Sequence, residues 1–185
     1  MKWVFKYLSG TSDYGLCYQG RLGLDRDLDI RGFVDADWAR DLDQRRSTSG
    51  YVFNLFGGAV SCMSKKKSIV ALSTIEAKYM AATHASKEVV WLQRLCSSMG
   101  LVHGAISIYC DSQSAIFLAK NPAYHSKTKH IDVQYHFVRD MIEENKVLLV
   151  KVDTLKNTAD ALTKSVSSKK FTWCRQKKGI SGLDK

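Results

Sequence analysis

The stretch Gly32-Phe33-Val34-Asp35-Ala36-Asp37-Trp38 alternates apolar residues with acids. That period of two predicts a strand with Asp35 and Asp37 on one face and Val34, Ala36 and Trp38 on the other. Two carboxylates on one strand are costly to bury unless a cation meets them. In a chain this basic, a divalent metal is the obvious cation. Three more acids, Glu76, Asp111 and Asp160, stand where other predicted elements begin or end. Each has an ordinary explanation. Asp35, or its neighbour Asp37, is an exposed strand acid; Glu76 completes a capping box with Ser73; Asp111 caps the helix that follows it; Asp160 sits in a first turn, where the helix dipole favours an acid. The ordinary explanations do not account for all four falling together on adjacent elements, near the carboxyl ends of parallel strands. Four converging acids in a basic domain are the pattern of a site for two hard divalent ions, which take oxygen ligands and can flank the two oxygens exchanged at a phosphodiester.

Those positions follow from the elements. Residues 1–12 read as a short amphipathic helix ending near Gly10, and Tyr14 to Gln19 as a strand. Leu24–Ile30 reads as an acidic loop before the Asp35 strand, and a polar run, Arg40 to Ser49, follows that strand. Gly50 to Phe56 is a strand rich in aromatic and β-branched residues, Gly57-Gly58 a hairpin turn, and Ala59 to Met63 the returning strand. A basic loop over Ser64–Ser68 leads to a long helix, with Ser73 as N-cap, a stripe of Ile75, Tyr79, Ala82, Val89, Leu92 and Leu95, and a stop at Gly100. Ile106, Ile108 and Cys110 alternate as a strand, Ser112 to Ala119 is a helix ended by Asn121-Pro122, and a further helix spans about Ile131 to Glu144. A strand over Val147 to Val152 and two short helices, around Asn157–Thr163 and Ser168–Gln176, close the chain. The order implies an α/β fold: a mixed five-stranded sheet, three antiparallel strands then two parallel, flanked by helices with right-handed crossovers.

Composition limits the function classes. The 185 residues suit one main domain, and 45% apolar with 25% charged residues is ordinary for a globular chain. The 28 Lys and Arg against 18 Asp and Glu give +10, a balance that favours a polyanionic partner such as nucleic acid. Cys17, Cys62, Cys96, Cys110 and Cys174 form no C-x-x-C pair, so buried free thiols in a reducing, intracellular compartment are expected rather than a zinc site, and His125, His130 and His136 lack a cysteine pair to make a zinc knuckle. No apolar run or signal peptide points to a membrane.

The motifs in order carry a resemblance. Gly-Phe-Val-Asp-Ala-Asp-Trp (32–38), Arg-Arg-Ser-Thr-Ser-Gly-Tyr-Val-Phe (45–53), Ser-Thr-Ile-Glu-Ala-Lys-Tyr-Met-Ala (73–81), Tyr-Cys-Asp-Ser-Gln-Ser-Ala (109–115), Lys-Thr-Lys-His-Ile-Asp (127–132) and Asn-Thr-Ala-Asp-Ala-Leu-Thr-Lys (157–164) resemble the ribonuclease H domain that ends copia-type (Pseudoviridae) retrotransposon Pol polyproteins. The match runs over about Tyr7 to Lys178. It implies a ribonuclease H-like fold at 29–178, a tether from the reverse transcriptase at 1–28 and a tail at 179–185. It implies hydrolysis of the RNA strand of RNA–DNA hybrids, giving 5′-phosphate and 3′-hydroxyl ends, with two Mg2+ ions for which Mn2+ can substitute. Carried over by position, Asp35, Glu76, Asp111 and Asp160 would be the catalytic, metal-holding acids. Asp35 is preferred to its rival Asp37 because it precedes a small residue, and Glu76 would also sense the ribose 2′-OH. The reverse transcriptase domain of the same polyprotein would be a partner, and a cytoplasmic retrotransposon particle the location. Cellular ribonucleases H carry a loop histidine before the last metal-binding helix; here that connection, Asp153-Thr154-Leu155-Lys156, has none, and His130 is a candidate to approach the site instead. A non-catalytic nucleic-acid-binding module derived from the element is the alternative, and a DNA-directed nuclease on the same fold a third.

Hybrid duplexes are held chiefly through phosphates and 2′-hydroxyls. Lys65, Lys66, Lys67, Lys127 and Lys129 are expected on that surface because both groups adjoin acid-bearing elements, with Ser112 and Gln113 beside Asp111 as hydrogen-bonding residues.

Overall fold

The computed structural model describes residues 2–19, 29–39, 41, 43–101, 104–121 and 136–183. Lys127, Lys129, His130, His125 and most of the 24–30 loop lie outside the described residues. The elements are α1 (Lys2–Ser9), β1 (Tyr14–Leu16), β2 (Arg31–Asp37), β3 (Thr48–Leu55), β4 (Gly58–Lys66), α2 (Thr74–Ser98), β5 (Ile106–Cys110), α3 (Gln113–Lys120), α4 (Phe137–Glu143), β6 (Val147–Lys151), a 3-10 turn (Thr154–Lys156), α5 (Asp160–Thr163), α6 (Ser168–Lys177) and β7 (Ile180–Gly182).

The main sheet has five strands in the order β4-β3-β2-β5-β6. The β2–β3 and β3–β4 pairs are antiparallel, and β2–β5 and β5–β6 are parallel, as the sequence implies. The hairpin turn falls one residue earlier than Gly57-Gly58. Leu55 pairs with Gly58, and Phe56 and Gly57 take the two positive-φ positions (50° and 81°) that a two-residue hairpin requires. Strand β4 runs on to Lys66, so the expected basic loop at 64–68 is largely strand, held by the Thr48–Lys66 and Ser49–Lys65 pairings.

Helix α2 lies across the sheet and contributes Ala77, Ala81, Ala82, Ala85, Val89, Leu92 and Cys96 to the core. Small side chains let the helix axis approach the strands closely. Ile75 and Leu95, expected in the buried stripe, are exposed instead. The Ser73 hydroxyl accepts from Glu76 N at 3.1 Å, fixing where the helix starts. Opposite, β2, β3, β5 and β6 supply Val34, Phe53, Ile106, Ile108, Val147 and Leu149.

The two ends of the chain meet. β1 pairs antiparallel with β7 in a separate two-stranded sheet, and Cys17 N donates to Gly179 O at 2.8 Å. The Arg175 guanidinium lies 4.0 Å from the centre of the Tyr14 ring, and Phe171 meets Tyr7 edge-on. Residues of the expected tether and tail thus pair with one another. Among the described residues no helix is long and apolar enough to cross a membrane.

Candidate active site

Strand register explains why two of the acids are neighbours. The last parallel pair between β2 and β5 is Val34 with Cys110, and the next residues are Asp35, still in β2, and Asp111, just past the end of β5. Asp160 arrives from α5, beyond β6. The entry to α5 is tied to β2 by the fully buried Asn157, whose amide donates to Val34 O at 2.9 Å while its own oxygen accepts from Ala159 N at 3.1 Å. Asp35, Asp111 and Asp160 each offer an oxygen within 4.8 Å of the others. The structure brings these three together from three elements. Asp37 is half-buried two residues further along β2 and is outside the group.

Glu76 is outside the group as well. Its carboxylate turns back along its own helix and accepts from Leu72 N at 2.9 Å, extending the cap that Ser73 begins. The residue of α2 that does reach the acids is Lys78, which no reading of the motifs singles out. Its ammonium stands 3.1 Å from Asp35 Oδ1 and also binds Asp111 Oδ1. A second lysine, Lys164, lies 3.2 Å from Asp35 Oδ2 and 3.0 Å from Asp160 Oδ1. Lys170 reaches Asp160 Oδ2 at 3.5 Å and is fixed by the carbonyls of Leu155 and Thr154. The Thr163 hydroxyl donates to Asp35 Oδ2. A sequence signal for Lys78 does exist: it stands in line with Ala82, Ala85, Val89, Leu92 and Cys96, at i+4, i+7, i+11, i+14 and i+18, all of them buried.

These neighbours split the acids. Burial pushes the Asp35 carboxyl up, but Lys78, the Thr163 hydroxyl and Lys164 outweigh it and hold the group below its ordinary range. Asp160 goes the other way: burial raises it and the charge of Asp35 adds to the rise, more than Lys164 and Lys170 offset. Burial alone would lower Lys78, yet Asp35 and Asp111 keep its ammonium above the usual value, so it is charged at neutral pH.

The other expected contacts separate. Ser112 is half-buried and caps α3, accepting from Ala115 N at 3.2 Å, and Gln113 is exposed beside it. Lys65 and Lys66 are exposed, with Lys66 paired to Asp41, whereas Lys67 is buried. The surface role expected of Lys67 therefore does not hold: past the end of β4 its backbone is drawn in by a bond from its N–H to Ser47 O (2.8 Å). The turn 154–156 is a 3-10 turn capped by Asp153, and it contains no histidine.

As a donor set, three clustered carboxylates suit a hard divalent cation. As a charge count they do not suit two, because Lys78, Lys164 and Lys170 already face the three acids.

No family model matches the sequence. Over 180 residues, 97% of its length, the chain is 46% identical to the retrovirus-related Pol polyprotein from transposon TNT 1-94 of Nicotiana tabacum, of which it spans 13%. Among solved structures it superposes on LC11-RNase H1 in complex with an RNA/DNA hybrid (TM-score 0.51, 19% identity, 72% of this chain and 93% of that one). It also superposes on the foamy viral protease-reverse transcriptase in complex with an RNA/DNA hybrid (TM-score 0.53, 15% identity, 78% of this chain and 20% of that one). At such identities the structural likeness speaks to the fold, and the Pol polyprotein match covers nearly the whole chain. The chain thus has a ribonuclease H fold, and over nearly its whole length its sequence is similar to a short part of retrotransposon Pol polyproteins.

Proposed function

We propose that this domain engages RNA–DNA hybrid duplexes and that its three-aspartate group is the centre for hydrolysis of the RNA strand. The observation that carries the reading is the meeting of Asp35, Asp111 and Asp160 within 4.8 Å at the carboxyl ends of β2 and β5 and the start of α5. Both superposed structures are complexes with an RNA/DNA hybrid, which supports the substrate class. Asp35, Asp111 and Asp160 would hold Mg2+ or Mn2+, whose chemistry is to activate water and neutralise charge at a scissile phosphate. The chain's own residues do the positioning: Asn157 seats Asp160 beside β2, and Thr163 orients the Asp35 carboxylate. Exposed Lys65 and Lys66, together with Lys127 and Lys129, would track the phosphates.

The reverse transcriptase domain of the same polyprotein is the proposed partner. Helix α1 supports that reading, since Trp3, Val4, Phe5 and Leu8 are all exposed on it. A second reading, a hybrid-binding module with weak or no cleavage, is favoured by one observation: Lys78 and Lys164 stand among the acids.

The test is cleavage of a labelled RNA–DNA hybrid with Mg2+ or Mn2+, beside an Asp111→Asn variant and beside the chain extended by its polymerase domain. Metal-dependent cutting of RNA that Asp111→Asn loses establishes the hydrolase. Hybrid binding without cutting, even in the extended chain, establishes the binding module.

A further inference from the structure

Residues 76 and 78 are two positions apart on α2, so their side chains leave the helix about 200° apart. The helix can therefore present one of them, not both, to the acids of β2 and β5. It presents Lys78. Bringing the Glu76 carboxylate there would require turning α2 by nearly half a revolution, which would pull Ala82, Ala85, Val89 and Leu92 out of the core. The helix phase is thus set by burial along its whole length.

We infer that Lys78 is a resident counter-ion occupying the place of a divalent cation between Asp35 and Asp111, and that residue 78 is the position on α2 from which a side chain reaches the metal site. This inference rests on reading the three aspartates as that site. The lysines differ in how they hold it. Lys164 has a side chain 32% exposed and sits at the mouth, where it can withdraw into water. Lys170 reaches Asp160 Oδ2 at 3.5 Å, is held by the carbonyls of Thr154 and Leu155, and lies over the Trp173 ring. Lys78, with 16% of its side chain exposed, alone bridges the two acids on adjacent strands. A metal entering between them must drive an ammonium away from both carboxylates within a mostly buried site. The domain as encoded therefore takes up divalent ions weakly and holds a hybrid better than it cuts one. A carboxylate at 78 reverses the sign at that position and adds a fourth oxygen ligand.

The test is Mn2+ titration of the full chain by calorimetry, with melting temperature followed as Mn2+ is added, for the wild type, Lys78→Glu and Lys78→Gln. Lys78→Glu is expected to tighten Mn2+ binding by at least about tenfold, as an added ligand charge does, with Lys78→Gln in between. The larger Mn2+-induced rise in melting temperature should follow the same order. Should Lys78→Glu fail to fold without metal, Lys78→Gln still reads the loss of the ammonium. Equal Mn2+ affinity in all three, strong or absent, overturns the inference, as does loss of binding on adding Glu76→Gln to Lys78→Glu. Cleavage is scored separately. Mn2+ uptake by Lys78→Glu without hybrid cleavage would overturn the hydrolase reading and leave Lys78 as the resident cation.

Discussion

The side-chain amide of Asn157 donates to the backbone carbonyl of Val34 at 2.9 Å, entirely inside the protein. One residue on from Val34 is Asp35; three on from Asn157 is Asp160. The bond therefore sets the distance between two acids that belong to different layers of the fold. Asn157→Ala leaves the Val34 carbonyl unmatched in the interior, and should cost about 1–3 kcal/mol of stability. Urea unfolding of the two proteins measures it. A loss near zero would mean that α5 is seated by something else.

Gly50 makes a second such relationship, by absence of atoms. It pairs with Asp35 across β2 and β3, and a Cβ there would fall 2.8 Å from Leu162 Cβ and 3.0 Å from Thr163 Cγ2. The missing side chain lets α5 lie against β3, close enough for the Thr163 hydroxyl to reach Asp35. Gly50→Ala should push α5 outward, destabilise the fold by about 1–3 kcal/mol and speed amide exchange in α5 before the rest of the domain. Thermal melts with hydrogen exchange check both. Unchanged exchange at residues 160–163 would show that α5 does not depend on the gap.

The sheet and most helices were legible because their signals are local: alternation along β2 and β5, aromatic and β-branched residues along β3, and Ser73 at the start of α2. Ser112 and Ser167 are also helix caps of this kind. β7 carried no such signal, since three residues, Ile180-Ser181-Gly182, are too few for a period and need Tyr14–Leu16 as partner. The site was legible in part. Asp35, Asp111 and Asp160 lie at strand ends or a helix start, where sequence order alone places them near one another. Choosing between residues 76 and 78 requires the phase of α2, and the expected stripe with Ile75 and Leu95 blurred it. The capping bond that Glu76 makes is itself local and readable, and it accounts for that acid without a metal.

The five cysteines are free and differ in exposure: Cys62 is exposed, Cys17 partly so, and Cys96, Cys110 and Cys174 are buried. Burial also works against thiolate formation, pushing Cys110 up to about 11 and raising Cys96 and Cys174. In the native protein Ellman's reagent should titrate Cys62 quickly and Cys17 slowly, with the other three appearing only in denaturant. Prompt reaction of Cys110 would contradict the packing of β5 between β2 and β6.

Lys67 makes stability depend on pH with a definite sign. Burial, then the charges of Lys65 and Lys87, push its ammonium down to about 7 from an ordinary value of 10.5. Between pH 7 and 10 the unfolded chain holds a proton on Lys67 that the folded chain does not, so the Lys67 contribution to stability rises with pH across that window. His84 is shifted the same way, to about 4, by burial and then by Lys67, Lys87 and Lys65, so its contribution rises with pH from about 4 to 6.5. Below pH 7 the fold holds the Lys67 ammonium against burial and against the charges of Lys65 and Lys87. Lys67→Met should therefore stabilise the domain at pH 6 by on the order of 1–3 kcal/mol and by less at pH 10. Urea unfolding at pH 6, 7.5 and 9 tests this, and the variant's profile should be flatter above pH 7. Parallel profiles for the two proteins would mean that Lys67 keeps its proton in the fold, and that the rise of stability with pH has another source.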